Sequence, residues 1–180
     1  MIKKPQLVTY RLVLKSNEDK DKENMVKMLN DPKIKKTYMI PDFDNEEQET
    51  KFFNKLKDLS NSDEHIIYGI YHNDRLIGFI NDVAKTEDTL EVGYFIDSDE
   101  WNKGYATEAL WAYMKQAFEM GFFYVEAAYF EGNTASMKVM EKCLMHPSGK
   151  QEIIRYRDQD LTAIYYSVNK RLFLVNYRTT

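Results

Sequence analysis

Residues 101–106, Trp101-Asn102-Lys103-Gly104-Tyr105-Ala106, form a glycine-bearing loop that follows a strand-like run and opens into an amphipathic helix. A strand, a tight loop and a helix N-terminus in that order turn backbone N–H groups and the positive end of a helix dipole toward a phosphate. Gly104 allows close backbone approach and Lys103 adds charge, so Asn102, Lys103, Gly104, Tyr105, Ala106 and Thr107 make the first candidate site. The same residues also suit an ordinary strand-to-helix turn. A second polar element, Asn133-Thr134-Ala135-Ser136, lies further down the chain at the start of another helical pattern. There Asn133 reads as an N-cap and Ser136 as a polar residue of the first turn.

Bulk properties narrow the chemistry. A chain of 180 residues fits one domain, 1–180, around one buried core. Hydrophobic residues make up 43% and charged residues 30%, which is too apolar for a disordered chain. The net charge of −4 argues against a nucleic-acid partner, which calls for a basic patch, though a local site for a small anion can still be positive. One cysteine excludes an internal disulfide, and three histidines offer no Cys/His zinc spacing, so no metal is expected. With no leader pattern and no apolar run of membrane-spanning length, the expectation is a cytoplasmic protein without a membrane partner. The thirteen tyrosines suit either the edges of a mixed core or an aromatic-lined cleft.

The elements that must position these residues follow from periodicity. Residues 6–14 alternate as an opening strand, and 17–30 form a helix with Met25, Met28 and Leu29 on one face, stopped by Asp31-Pro32. A second helix over 45–59 carries acids first and lysines later, with Phe52, Phe53, Leu56 and Leu59 on its apolar side. Strands over 65–71 and 76–83 flank a hairpin turn at His72-Asn73-Asp74-Arg75, and a third follows over 89–96. The helix over 104–120 places Ala106, Leu110, Tyr113, Ala117 and Met120 on one stripe and stops at Gly121. A buried strand over 122–128 precedes a helix over 133–144 whose Met137, Met140, Cys143 and Leu144 face inward. Strands near 151–157 and 161–168 close the sheet, and the tail 169–180 is ambiguous. The order is that of a mixed α/β (α+β) layer architecture.

That order, with these motifs, resembles the GNAT N-acetyltransferase superfamily, in the branch of the ribosomal-protein alanine N-acetyltransferases. The pieces are Thr9-Tyr10-Arg11-Leu12, Leu76-Ile77-Gly78-Phe79-Ile80, Glu91-Val92-Gly93-Tyr94, 101–110, and Asn133-Thr134-Ala135-Ser136 through Glu141-Lys142. The resemblance implies a mostly antiparallel sheet of about seven strands, splayed at the fourth and fifth, with about four helices. Two departures stand out. Trp101 begins the phosphate loop where Gln or Arg is usual, and Leu144-Met145 stands where a Gly-Phe-like pair normally supplies a left-handed glycine cap.

The resemblance further implies acetyl-CoA as acyl donor and a primary amine, a protein N-terminus or a small molecule, as acceptor. Loop 102–107 would hold the pyrophosphate. Strand 91–96 would lie along the pantetheine arm, with backbone N–H groups near Tyr94, Phe95 and Ile96 polarising the thioester. Asn133 would contact the arm, and Ser136 would hydrogen-bond or protonate the sulfur. Glu91 is the candidate general base, directly or through water; it reads equally as a solvated strand-end carboxylate, and Asp82 is the other candidate. Tyr129 and Tyr165 could assist. His65, His72 and His146 show no identifiable partner, and Cys143 reads as a core cysteine. The acceptor side would be formed by 17–30, 45–59, the connector 33–44 with its acids Asp42 and Asp44, and the loop 157–160. Lacking an unambiguous base, the chain also fits a catalytically weak acyl-CoA-binding or regulatory module. The apolar run Lys170-Arg171-Leu172-Phe173-Leu174-Val175 suggests a homodimer contact or strand exchange.

Overall fold

Alternating apolar strands and amphipathic helices give one open sheet whose strands are joined by turns and helices. The computed structural model describes residues 4–177, so the last three residues of the ambiguous tail lie outside the described residues. The strands are β1 (Leu7–Val8), β2 (Leu12–Lys15), β3 (Tyr68–His72), β4 (Arg75–Lys85), β5 (Thr89–Ile96), β6 (Tyr124–Phe130), β7 (His146–Tyr156) and β8 (Gln159–Asn169). The helices are α1 (Lys22–Asn30), α2 (Pro32–Lys35), α3 (Glu46–Asn61), α4 (Tyr105–Glu119), α5 (Thr134–Lys142) and α6 (Lys170–Tyr177). The sheet order is β1-β2-β3-β4-β5-β6-β8-β7. Among the described residues, β5 and β6 pair in parallel over Thr89↔Tyr124, Leu90↔Val125 and Glu91↔Glu126. The pairs β1/β2, β2/β3, β3/β4, β6/β8 and β7/β8 are antiparallel.

The expected opening strand is two strands. The Thr9 hydroxyl accepts a hydrogen bond from the Leu12 N–H at 2.9 Å and turns the chain back, so β1 pairs with β2 and the sheet has eight strands rather than seven. The expected helix over 17–30 starts later, because Glu18 and Asp21 close a capping box on a 3-10 turn at Asp19–Asp21. In the hairpin between β3 and β4, Asn73 and Asp74 both adopt positive φ, as a two-residue turn requires.

The described residues group into two compact units, 4–81 with 94–112, and 82–93 with 113–177. In the first, Met25, Met28 and Leu29 of α1 pack with Phe53, Tyr71, Leu76, Phe79 and Phe95. Gly78 has no room for a side chain, since a Cβ there would lie 2.6 Å from the Phe95 carbonyl oxygen. In the second, Phe118 of α4 meets Phe173 of α6 at 5.0 Å between ring centroids. The tail run is therefore helical, with Phe173 buried and Val175 exposed. Met120 does not join the α4 stripe; it follows the last helical residue and is 51% exposed.

Both helices flanking β6 end in left-handed caps. After α4, Gly121 (φ +110°) lets its own N–H reach the Phe118 carbonyl and the Phe122 N–H reach that of Ala117. After α5 the same two bonds form, Leu144 N–H to Glu141 and Met145 N–H to Met140, with half-buried Leu144 at φ +61°. The cap that the Leu-Met pair was expected to lack is present, built on a residue whose Cβ resists that conformation. Leu144→Gly should therefore be more stable than Leu144→Ala by about 1 kcal/mol, since both lose the side chain and only glycine relieves the strain. Thermal unfolding of the two variants checks the order, and alanine above glycine would contradict it.

Candidate active site

The first unit carries the loop. β5 is followed by Asp97, which is only 2% exposed and whose N–H donates to the Ile77 carbonyl at 2.8 Å. The Asp97 carboxylate caps the 3-10 turn Ser98–Glu100 through the Asp99 N–H and takes ion pairs from Lys27 (3.2 Å) and Arg75 (3.1 Å). Trp101, at the place where the resemblance calls for Gln or Arg, folds its indole N–H back onto the Ile96 carbonyl at 2.8 Å. It therefore anchors the end of β5.

Two residues of the loop adopt positive φ, Asn102 at +63° and Gly104 at +83°. Asparagine and glycine are the residue types that tolerate this region, and the turns they make carry the backbone into the first turn of α4. The first intrahelical bond runs from the Glu108 N–H to the Gly104 carbonyl at 3.1 Å. The N–H groups ahead of it belong to the helix's first turn, where the backbone has no i−4 acceptor and the dipole favours an anion. Lys103 pairs with Glu100 at 2.7 Å, so its charge is committed to the acidic turn at 97–100.

What holds this loop is not legible in the sequence. Glu108, one turn inside α4, accepts from the Thr9 hydroxyl at 2.6 Å, the Arg11 N–H at 2.7 Å and the Arg11 Nε at 2.7 Å. Burial alone would raise its pKa, but these donors outweigh that and hold it below the usual glutamate value. Arg11 continues to the Lys103 carbonyl at 2.8 Å and lies 4.6 Å from the Tyr105 ring centroid. Arg11 appeared in the opening motif, but nothing in the motif identifies a partner 97 residues away.

The remaining predicted residues of this unit lie along β5. Tyr94 is half-buried, Phe95 and Ile96 are buried, and Phe95 packs edge-on against Tyr38 at 5.0 Å. Ala106 and Thr107 are half-buried in the first turn of α4. On the elements expected to form the acceptor side, Asp42 pairs with Lys35 (2.8 Å), Glu47 with Lys51 (2.7 Å) and Glu46 with Lys22 (3.7 Å). These acids are exposed and neutralised, which fits a solvated face better than a cationic-amine site.

The second unit carries Glu91, Asn133 and Ser136. Half-buried Glu91 is level with Glu126 across the β5–β6 pair. Its pKa is raised chiefly by burial and further by the charges of Glu152 and Glu126, with Lys150 opposing. Tyr165 donates its hydroxyl to Glu152 at 2.9 Å, and the Lys150 ammonium lies 3.8 Å from the Tyr165 ring centroid. The register of β7 against β8 shifts between Pro147 and Gln151, with Gly149 at φ +82° inside the irregularity, next to Lys150. Asp82, the other base candidate, pairs with Lys85 at 3.4 Å. Asn133 is the N-cap of α5, its side chain accepting from the Ser136 N–H at 3.2 Å. Tyr129 packs against Tyr166 at 5.7 Å. Cys143 is fully buried, and burial raises its pKa, as expected of an inert core thiol. Among the described residues no group of His, Cys, Asp or Glu is arranged to hold a metal ion, and no helix is long and apolar enough to cross a membrane.

A family model described as an acetyltransferase (GNAT) domain matches residues 11–146. The chain belongs to the GNAT acetyltransferase family. It is an acetyl-CoA-dependent acetyltransferase, and loop 102–107, with its two left-handed residues and helix start, suits that donor's pyrophosphate. An uncharacterized N-acetyltransferase of Bacillus subtilis, YoaA, is 27% identical over 143 residues, covering 77% of this chain and 81% of its own. A GNAT acetyltransferase from Bacillus anthracis superposes with a TM-score of 0.78 at 26% identity, over 93% of this chain and 99% of that one. RimL, a ribosomal L7/L12 alpha-N-protein acetyltransferase solved with coenzyme A, shares the fold at TM-score 0.79 and 14% identity, over 92% and 98% of the two chains.

Gly104→Ala is expected to destabilise this GNAT protein by about 1–2 kcal/mol, because alanine is strained at φ +83°. Its Cβ would also lie 3.3 Å from Arg11 Nη2. Urea denaturation measures the change, and a gain in stability, as Gly→Ala gives at ordinary φ, would contradict the loop geometry.

Proposed function

We propose that the chain is one GNAT domain over 1–180 that transfers an acetyl group directly from acetyl-CoA to a primary amine within a ternary complex. Backbone N–H groups of Asn102, Lys103, Gly104, Tyr105, Ala106 and Thr107 hold the pyrophosphate. The main chain at Tyr94, Phe95 and Ile96 and the Asn133 side chain hold the pantetheine arm. The observation that carries the catalytic half is Glu91: a half-buried carboxyl with a second carboxylate in register beside it, held above the ordinary glutamate range.

Such a carboxyl is tuned toward the pH at which it must accept a proton. Glu91 removes a proton from the acceptor's ammonium, directly or through a water. The freed nitrogen lone pair attacks the thioester carbonyl carbon, a C–N bond forms and the C–S bond breaks. The second amine proton reaches the departing thiolate through the Ser136 hydroxyl. The products are an amide and a free thiol. RimL, a ribosomal-protein acetyltransferase, is a precedent within this fold for a protein N-terminus as acceptor.

Since Glu91 must be ionised to act, the acid limb of kcat/KM should lie at higher pH than an ordinary glutamate would set. Glu91→Gln should lower kcat by about 10²–10⁴-fold and abolish that limb. A carboxyl whose folded pKa exceeds its unfolded value opposes folding once pH passes above both, so the same variant should be at least as stable as wild type at neutral pH. Thiol-release assays over a panel of amines, with parallel thermal unfolding, read both effects. A Glu91→Gln enzyme with wild-type kcat would remove Glu91 from the mechanism.

A further inference from the structure

We propose that Arg11, acting through Glu108, is the positioning residue that sets the phosphate-binding loop. This rests on the reading of loop 102–107 as the pyrophosphate site. Arg11 lies in the β1–β2 turn, next to Tyr10, whose side chain points to solvent at 96% exposure. The turn therefore contributes little apolar packing, and its conformation is determined by polar bonds. Thr9 and Arg11 together place three donors on the Glu108 carboxylate. That fixes the first turn of α4 against the turn.

The Arg11 guanidinium then reaches past the helix into the loop itself. Nη1 takes the Lys103 carbonyl at 2.8 Å, and the plane covers the Tyr105 ring at 4.6 Å. Nη2 lies 3.3 Å from the position a Gly104 Cβ would occupy. Arg11 thus contacts the residues on either side of Gly104 and closes the space beside it. A carbonyl turned toward Arg11 fixes the peptide plane between Lys103 and Gly104, and so the direction of the Gly104 N–H in the same plane. An ordinary surface ion pair would end at Glu108 and say nothing about the loop. Lysine cannot replace this group, because one compact ammonium lacks the planar fork that serves a carboxylate, a carbonyl and a ring face together.

The test uses the full chain and acetyl-CoA. Arg11→Gln should weaken acetyl-CoA binding, measured by calorimetry well below the unfolding temperature, by about tenfold. Arg11→Lys should not restore it. Glu108→Gln should weaken binding similarly, and Arg11→Gln/Glu108→Gln should lose little more than either single variant, as expected for one shared linkage. Amide hydrogen exchange of the free protein adds a reading independent of ligand. Protection should fall at 102–107 in Arg11→Gln while the amides of β3 and β4 keep theirs. Wild-type affinity in Arg11→Gln, full rescue by lysine, or independent additive losses would overturn the proposal. Wild-type protein that fails to bind acetyl-CoA would overturn the cofactor reading itself, and the positioning role with it.

Discussion

The carboxylate of Glu108 is the constraint on which the donor end of the molecule depends. It is one turn inside α4, yet its hydrogen-bond partners Thr9 and Arg11 come from near the start of the sequence, in the turn between β1 and β2. A helix start alone favours an anion but does not decide where the preceding loop runs. Here the run of the loop is fixed on two sides. Asp97, buried and paired with Lys27 and Arg75, holds the end of β5, and Arg11 holds the peptide between Lys103 and Gly104. With both ends set, Asn102 and Gly104 can occupy left-handed backbone without the turn relaxing out of it. Preorganised donors of this kind bind an anion without first reorganising.

The other chemical half rests on electrostatics. Glu91 is not the most deeply buried acid of the chain; Asp97 is far less exposed. The two differ in their company. Asp97 receives two cations and the Asp99 N–H, which satisfy its charge, whereas Glu91 faces Glu126 and Glu152 with Lys150 as the opposing charge. The first arrangement makes an anchor; the second raises the pKa of Glu91, as the proton acceptor of the proposed mechanism requires. Glu46 and Glu47 on α3 and Asp42 in the preceding connector are a third kind, exposed and ion-paired.

Much of the fold was legible because its signals are local. β5 runs over the expected Thr89–Ile96, the hairpin expected at 72–75 turns at Asn73-Asp74, and Gly121 ends α4. The differences come from side chains that bond the backbone: the Thr9 hydroxyl breaks the opening strand, and Glu18 with Asp21 delays α1. Leu144 shows the limit of residue preference, since the cap after α5 forms through its two backbone bonds despite the side chain. In the site, the loop and the N-cap at Asn133 could be read from spacing alone. Arg11's role could not, because its partners are remote in sequence, and the setting of Glu91 needed neighbours from β6 and β7. Lys103 was read as a source of charge for the loop, and its ammonium pairs with Glu100.

The roles of Arg11, Asn102 and Gly104 all depend on where the pyrophosphate lies. A crystal structure of the full chain with acetyl-CoA tests this most directly. It should show phosphate oxygens accepting hydrogen bonds from backbone N–H groups within 102–107, with Asn102 and Gly104 still at positive φ and Arg11 still on the Lys103 carbonyl. A cofactor bound with its phosphates clear of that loop, or a loop that abandons those torsions to bind them, would contradict it.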